Sequence, residues 1–468
     1  MAMTLIAAPQ EFTPAFNPCK FIFNSTNNNN EGFRYIFDIY IQGTANKIAE
    51  YRVLPTYGTG FGEIDLSKLL SSKVAPDFQP TNYSESDTPI SRFNYDVKVG
   101  EEYIVTYTYL ANLVDNGGNV KITPTIAHTF QVGDQVVVNA GTNTLITGLW
   151  TVVAITGTTD FTISALWSNV TNPAADGTVT YADKRKTVTR DIESELNYWV
   201  FNGAVSWSKF NAYNLNQYLL DDTNALFLTS FPYRDMTITP NQELWFNGFN
   251  NSVTGRMVFN NSNGDSFYYD VTNTEITTQL CVASPFLDLT VLSGTLPLIK
   301  PDTTSYEVYF IDDTPPTDSQ TYTFNIDQRC AINDYYLVFL DRMGSWGSFA
   351  FQLRAYENGT SAKQSFNKDV QGFVSGGEWS YESYEAGLTT YSSTVEKTYT
   401  LNSNWMSEDM AVYFQELITS PVVYFWGGAK YLACTIQDTS FEVEKQRNKN
   451  LIKKTVTIKL ANQDKVNI

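Results

Sequence analysis

The sequence contains one histidine, His128, and four widely separated cysteines, Cys19, Cys281, Cys330 and Cys434. A histidine-dependent serine or cysteine hydrolase needs an imidazole base beside its nucleophile. A zinc site needs three or four ligands in close groups. His128 lies beside a predicted strand, so we interpret it as a turn residue, and the cysteines as buried, reduced thiols. We therefore predict no catalytic residue, no metal ligand and no cofactor.

Two other patterns could carry chemistry. The segment GTGFGE at 58–63 has the glycines of a phosphate-binding loop, but no Lys-Ser or Lys-Thr pair follows it. The 49 acidic residues offer many carboxylate pairs of the type that cleaves glycosidic bonds, so a polysaccharide-cleaving enzyme is one alternative. Elongated depolymerases usually show a solenoid repeat, which this sequence lacks. The prediction is that the chain is not an enzyme.

The charge balance restricts the class of partner. The 468 residues carry 49 acidic and 31 basic side chains, which gives a formal net charge of −18. Such a surface repels phosphate backbones and anionic lipids, so we expect no sequence-specific nucleic-acid binding and no membrane binding. The sequence begins without the pattern of a signal peptide and has no apolar run of membrane-spanning length. We expect a soluble protein made in the cytoplasm of its host cell.

The composition favours strands. Aromatic residues make up 15% of the chain and charged residues only 17%. In GFRYIFDIYIQG, alternate residues from Phe33 to Ile41 share one face, and Arg34, Asp38 and Gln42 share the other. This period of two predicts a half-buried strand, and EEYIVTYTYL at 101–110 repeats it. We predict a mainly β chain whose first 111 residues form a β-sandwich that continues after an insertion, with a short helix near 67–71.

The insertion is predicted over residues 112–186. No Lys or Arg occurs between 122 and 183, and the segment DKRKTVTR then brings several together. Inside this region, HTFQVGDQVVVNAG, GLWTVVAITGTTDFTISAL and DGTVTYA are typical of short strands joined by Gly, Asn and Asp turns. A sharp change of composition with its own strand pattern indicates a separate small β module.

The rest of the chain is predicted as a β-sandwich region at 187–330 and a C-terminal β-rich α+β domain at 331–468. One helix is expected at about 407–420 in the second of these. Ser407 is a plausible N-cap, acidic residues occupy the first turn, and Pro421 ends the helix. Its apolar side chains recur at helical spacing, which predicts packing against a sheet.

Two features are candidate interface residues. The stretch FLDRMGSWGSFAF at 339–351 predicts a hairpin in which Gly344 and Gly347 are free to adopt positive φ. Trp346 is expected to fold over neighbouring aromatic pairs, and an exposed ligand-binding role is the alternative. A second predicted hairpin near the C-terminus has a basic tip that is either solvated or docks an acidic patch of a neighbour, formed by Lys445, Arg447, Lys449, Lys453 and Lys454.

Several segments together resemble structural proteins of phages and prophages of Bacteroidetes-type hosts, including the crAss-like group. They are FNPCKFIFNSTNNNNEGFRYIFDIYIQG, VLPTYGTGFGEIDLSKLL, VFNGAVSW with FLTSFPYRDMTI, DYYLVFLDRMGSWGSFAF, and MSEDMAVYFQELITSPVVYFW with YLACTIQDTSFEVE. The insertion, through HTFQVGDQVVV and WTVVAITGTTDFTI, resembles small β modules that recur in phage tail and baseplate proteins. The resemblance implies a virion component and no catalytic residues.

From the resemblance we expect a passive subunit of a tail or collar ring at the head-to-tail connection. Its partners would be copies of itself, in a ring of about twelve-fold symmetry, and neighbouring portal, tail or collar proteins. The aromatic surplus would supply interface cores, and the acidic body and basic tip would give complementary contacts. The alternative is a carbohydrate-binding, receptor-recognising or baseplate tail protein in which the insertion or Trp346 stacks sugar rings.

Overall fold

A computed structural model describes residues 3–80, 84–85, 91–124, 127–140, 143–171, 180–190, 198–220, 225–232, 236–249, 254–272, 277–283, 290–291, 294–295, 298–313, 316–329, 332–369, 372–382, 384, 387–438 and 452–467. The chain is mainly β, as predicted, with several antiparallel sheets and a small helical portion near the C-terminus. In the described part of the chain, no helix has both the length and the apolar character needed to cross a membrane.

The strands, in chain order, are β1 Met3–Ala7, β2 Phe12–Pro14, β3 Lys20–Ser25, β4 Glu31–Ile41, β5 Lys47–Val53, β6 Gly62–Asp65, β7 Ser84–Glu85, β8 Arg92–Asn116, β9 Asn119–Pro124, β10 Gln135–Asn139, β11 Gly148–Ile155, β12 Phe161–Leu166, β13 Thr180–Thr189, β14 Tyr198–Phe201, β15 Met236–Ile238, β16 Leu244–Phe249 and β17 Thr254–Asn261. They continue as β18 Ser266–Thr272, β19 Thr277–Ala283, β20 Thr290–Val291, β21 Gly294–Thr295, β22 Ser305–Asp313, β23 Pro316–Asp318, β24 Tyr322–Ile326, β25 Tyr335–Leu340, β26 Trp346–Phe351, β27 Tyr356–Lys368, β28 Phe373–Ser375, β29 Glu378–Ser380, β30 Gly387–Asn402, β31 Val423–Trp426, β32 Tyr431–Ile436, β33 Thr455–Leu460 and β34 Asp464–Asn467. The α-helices are α1 Ser67–Leu70, α2 Trp207–Phe210 and α3 Glu408–Thr419, and short 3-10 helices cover Ser71–Lys73, Trp167–Asn169 and Leu215–Gln217.

The chain divides into two compact units. Unit 1 comprises Met1–Pro9, Cys19–Asp65 and Asn94–Tyr198, and unit 2 comprises Gln10–Pro18, Leu66–Phe93 and Trp199–Ile468. The finer division into segments 1–111, 112–186, 187–330 and 331–468 stays a prediction.

Unit 1 begins with a β-sandwich. The sheet β1-β3-β6 faces β4, which pairs with β5 on one side and β8 on the other. Phe23 of β3 lies 5.8 Å from Phe37 of β4, ring centre to ring centre, so aromatic side chains close the space between the sheets. Asp38 was predicted on the solvated face of β4, and this is wrong. Its carboxylate is buried because Lys47, at 3.2 Å, and Arg190 cover it with their cationic groups.

The strands of the insertion close into a barrel with β8, most of which precedes residue 112, within unit 1. Its strands follow the order β8-β9-β12-β11-β10-β13, and β13 pairs again with β8 over ten residues, from Thr180↔Leu110 to Thr189↔Glu101. Buried side chains fill the barrel, among them Val136, Phe161 and Tyr181. Closure removes the free edges that a short open sheet would expose. Strands are present in each of the three predicted segments: 135–139 in HTFQVGDQVVVNAG, 148–155 and 161–166 in GLWTVVAITGTTDFTISAL, and the start of 180–189 in DGTVTYA.

Unit 2 contains two large sheets. One follows the order β15-β24-β22-β17-β18-β20-β21, and the other β27-β30-β33-β32-β31-β25-β26-β16-β19-β7. Phe246 of the second sheet lies 4.9 Å from Tyr322 of the first, ring centre to ring centre, inside one continuous aromatic core. Unit 2 therefore has the sandwich architecture that the alternating aromatic pattern predicts.

Helix α3 confirms the predicted helix near the C-terminus. The Ser407 hydroxyl accepts a hydrogen bond from the backbone N–H of Met410, which satisfies a free donor at the helix start. The buried face includes Tyr413 and Phe414, whose rings lie 5.2 Å from Phe339 and Phe349 respectively. The helix thus covers the hairpin formed by β25 and β26.

Candidate assembly interface

Trp346 lies inside unit 2. It begins β26 opposite Leu340 of β25, is 1% exposed, and packs 4.8 Å from the ring of Phe78 and 5.7 Å from that of Tyr424. Its indole N–H donates to the backbone carbonyl of Asp77. The predicted packing against aromatic neighbours is therefore present. A side chain with this exposure offers no area to a partner or a sugar ring, which corrects its prediction as an interface residue.

Gly344 and Gly347 of this hairpin are glycines for different structural reasons. Gly344 has φ +83° in the turn, as predicted. Gly347 was predicted to be free to adopt positive φ, but it lies within β26, outside the left-handed region. A Cβ at Gly347 would be 1.8 Å from the hydroxyl oxygen of Tyr413 and 3.2 Å from the Phe339 ring. The missing side chain lets α3 approach the strand closely.

Asp341 organises the turn between β25 and β26. One carboxylate oxygen accepts from the backbone N–H groups of Met343 and Ser345, both at 2.9 Å. The other accepts from the Ser230 N–H at 2.8 Å and the Thr229 hydroxyl at 3.0 Å. Burial, with a smaller contribution from the nearby Glu416 carboxylate, raises the pKa of Asp341 to about 7 despite these donors. This arrangement holds two segments of the chain together.

The histidine and the two described free cysteines each pack against aromatic or apolar neighbours. His128 stacks on Phe130, with ring centres 5.9 Å apart, and lies edge-on to Phe161 at 5.0 Å. Cys19 and Cys434 are buried free thiols, and burial raises the pKa of each to about 12. Cys330 lies outside the described residues, as does the side chain of Cys281.

Acidic side chains of unit 1 are held by cations. Glu102 pairs with Lys186 at 2.7 Å, and the hydrogen bond from this lysine lowers the pKa of the glutamate.

Within the parts of the chain that the structure describes, no group of three or more His, Cys, Asp or Glu side chains converges as metal ligands would.

The predicted basic tip is described only in part. Lys445, Arg447 and Lys449 lie outside the described residues. Lys453 is exposed, and the backbone N–H of Lys454 donates to the Ser403 hydroxyl at 2.8 Å. The strands β32 and β33 on either side pair antiparallel, consistent with a hairpin. The interface role of these five cations stays a prediction.

The most unusual surface of unit 2 is a long exposed hairpin, the arm, residues 356–402, which β33 and β34 support along most of β30. Its strands β27 and β30 pair from Tyr356↔Thr400 to Lys368↔Gly387. All thirteen residues of β27 are exposed, so both faces of this strand meet solvent. Thirteen strand residues correspond to a length of about 40 Å. On its other edge, β30 pairs with β33 and β34, whereas β27 is the last strand of its sheet.

The tip of the arm, residues 372–382, is a second small hairpin. Strands β28 and β29 pair through Val374↔Trp379, and the turn consists of Gly376 and Gly377 with φ +66° and +88°. Two consecutive glycines at positive φ match the twist of a two-residue hairpin. Trp379 lies across the backbone of Gly372, where a Cβ would be 2.0 Å from the indole nitrogen. The missing side chain at Gly372 therefore leaves room for the indole at this position.

Apolar side chains of the arm are exposed to an unusual extent. Trp379 is 60% exposed and Tyr384 is 80% exposed. Tyr381 and Phe366 are each about half exposed. Groups of this kind on a soluble surface mark interaction sites. Sequence reasoning missed the arm. The available signal was the segment YENGTSAKQSFNK, which lacks an apolar face and so cannot line a core.

Comparisons with known proteins add little to this geometry. No protein-family model matches the sequence, and no curated protein matches it. Among solved structures, the chain is similar to a "Phage phi92 endosialidase" at 9% sequence identity and a TM-score of 0.15. The match covers 95% of this chain and 62% of that chain. A similarity at this TM-score carries no argument about fold, activity or location.

Proposed function

We propose that this chain is a phage virion structural protein that packs beside copies of itself in a tail or collar ring. The observation that carries the assembly part of this proposal is the arm. Beyond the pairing of β34 with Ser392 the arm is two-stranded, and such a ribbon is marginal in water unless a third strand or a packed face supports it. An exposed edge strand with exposed aromatic residues nearby is the surface that another chain covers.

The virion part of the proposal comes from the sequence resemblance to phage structural proteins. A ring forms when two different patches of one chain meet in a head-to-tail contact that closes by rotation. An arm that projects from its own subunit suits such a contact, because it supplies one patch and the body of the next subunit supplies the other. The proposal assigns no catalytic residue and no cofactor to the chain.

The experiment compares the full chain with an arm-truncated variant. Residues 366–389 are replaced by Asn-Gly after Ser365, which stands opposite Thr390 in the ladder, so that the pairing of β34 with Ser392–Val395 is kept. We expect closed oligomers of the full chain by light scattering and negative-stain microscopy, and folded monomers of the variant. Circular dichroism serves as the folding control.

Two results would count against the proposal. A full chain that stays monomeric at all concentrations has no self-assembly, and a truncated chain that still forms the same oligomer does not use the arm. Specific binding of the monomer to a glycan array would favour the carbohydrate-recognition alternative instead. Labelling of the chain on purified virions then tests whether it occupies the tail or collar.

A further inference from the structure

The body of unit 2 has an open, largely apolar pocket of about 450 Å³. Its apolar wall comes from the end of β25 and the segment after α3, with Leu340, Pro421 and Val422, and from Val74 and Pro76. Phe16 stands at this pocket with 56% of its surface exposed. A volume of this size lies in the range that encloses small ligands and accepts an indole ring.

The polar part of the pocket is a cation and two acids. Arg342 lines it, and in the described part of the chain no ion pair engages its guanidinium group. Glu416 also lines the pocket and accepts a hydrogen bond from the backbone N–H of Arg342 at 3.4 Å. The third group, Asp341, is buried and already accepts four hydrogen bonds. Arg342 is therefore the polar group most available to a partner.

The tip of the arm is complementary to this pocket. Trp379 is flanked by Glu378 and, three residues later, by Glu382, and both carboxylates are exposed. No Lys or Arg occurs in residues 372–382. An aromatic anchor between carboxylates thus matches the apolar wall of the pocket and the Arg342 guanidinium, which has no ion pair among the described residues, whereas Glu416 in the same pocket carries the charge sign of the tip. Buried tryptophans in pockets are the residues that most often dominate binding energy at interfaces.

We propose that Trp379 of one copy inserts into this pocket of a neighbouring copy, with Glu378 and Glu382 facing Arg342. This inference rests on the proposed function, because it names the surface that the arm contacts in the assembly. Within one chain Trp379 remains 60% exposed, so the tryptophan does not fill the pocket of its own subunit. Tip and pocket are different patches, and their contact is therefore of the head-to-tail kind that a ring requires.

The first test is disulfide cross-linking between two singly substituted full-length chains. Trp379→Cys and Phe16→Cys are mixed under mild oxidation, and we expect a covalent dimer that contains one copy of each. The matched control replaces Phe16→Cys by Tyr57→Cys, a fully exposed position outside the pocket, and should give no dimer. Equal cross-linking in both mixtures would overturn the inference.

The second test measures self-association of full-length variants by sedimentation. Trp379→Ala should weaken association about thirtyfold, as loss of a hot-spot residue does. Phe366→Ala, an exposed aromatic on the shaft of the same arm, should weaken it less than about threefold if the anchor is at the tip. Arg342→Glu should weaken association, and adding Glu378→Arg and Glu382→Arg should restore part of it.

The outcomes separate this inference from the proposed function. If arm truncation abolishes assembly while Trp379→Ala leaves it unchanged, the arm binds elsewhere, and only the inference fails. If the full chain never associates, both fail. Loss of association in the Trp379 variant together with failed charge rescue would place the tip in a different pocket and would also overturn the inference.

Discussion

Replacement of Gly347 by alanine should destabilise unit 2 strongly. The new methyl carbon would lie 1.8 Å from the Tyr413 hydroxyl oxygen and 2.9 Å from the ring carbon that bears it. Ordinary contact needs at least 3.4 Å, so helix and strand must separate by more than an ångström. Tyr413 is 2% exposed and cannot turn away into solvent. Overpacking of this severity costs about 3 kcal/mol of unfolding free energy.

A double-mutant cycle isolates the cause. Tyr413→Phe removes the oxygen at 1.8 Å and leaves the ring carbon at 2.9 Å as the closest atom. The alanine should therefore cost less in the Phe background, with a coupling of about 1.5 kcal/mol. The control is Gly359→Ala in β27, where a Cβ meets only Val395 at 3.8 Å and the expected change is close to zero.

Urea unfolding followed by tryptophan fluorescence and circular dichroism provides the assay. If Gly347→Ala proved as stable as the parent, or if its cost were the same with Phe at position 413, the close approach of α3 to β26 would not be the reason for glycine. A large cost for Gly359→Ala would show that the arm is packed in solution rather than exposed.

Three further predictions concern the same fold. The pKa of Asp341 is raised to about 7 from an ordinary 3.8, so between these pH values the native state holds a proton that the unfolded state has lost. The free energy of unfolding should therefore fall as the pH rises from about 4 to about 7. Asp341→Asn should flatten this slope in a series of urea titrations at different pH. Ser407→Ala removes the N-cap of α3 and should cost about 1 kcal/mol, measured by the same unfolding assay, whereas Ser420→Ala beyond the helix end would have no capping effect on the helix start. In a variant with Cys281→Ser and Cys330→Ser, the thiols of Cys19 and Cys434 should react with a thiol reagent at pH 8 only after unfolding, because burial raises the pKa of each to about 12. Rapid reaction of the native protein would contradict their burial.

A structural feature could be predicted from the sequence when the residues that determine it lie close together in the chain. The helix at 407–420 was predictable because its cap, its acidic first turn and its apolar spacing all lie within fifteen residues. The hairpin at 339–351 was predictable for the same reason. The role of Gly347 was not, since the atom that requires glycine belongs to Tyr413, more than sixty residues later in the chain.

Burial of polar groups was the least predictable property. Alternation in β4 placed Asp38 on a polar face, and only the positions of Lys47 and Arg190 in the fold reveal that this face is covered. Barrel closure depends on the pairing of β13 with β8, whose paired residues are 70 to 88 positions apart in sequence. In the arm, exposure was the property that the sequence did not reveal. A polar strand has the same sequence pattern whether it forms the covered edge of a sheet or an exposed ribbon.

The arm also has a physical basis for favouring assembly. Its base is stiffened where β30 pairs with β33 and β34, so the two-stranded part does not have to be ordered along its whole length on binding. At its tip, a tight glycine turn joins β28 to β29, and the indole of Trp379 packs against the backbone of Gly372. Pre-organisation of this kind reduces the conformational entropy lost on association. A rigid tip with an exposed tryptophan should therefore bind its partner more tightly than a flexible arm of the same composition that makes the same contacts.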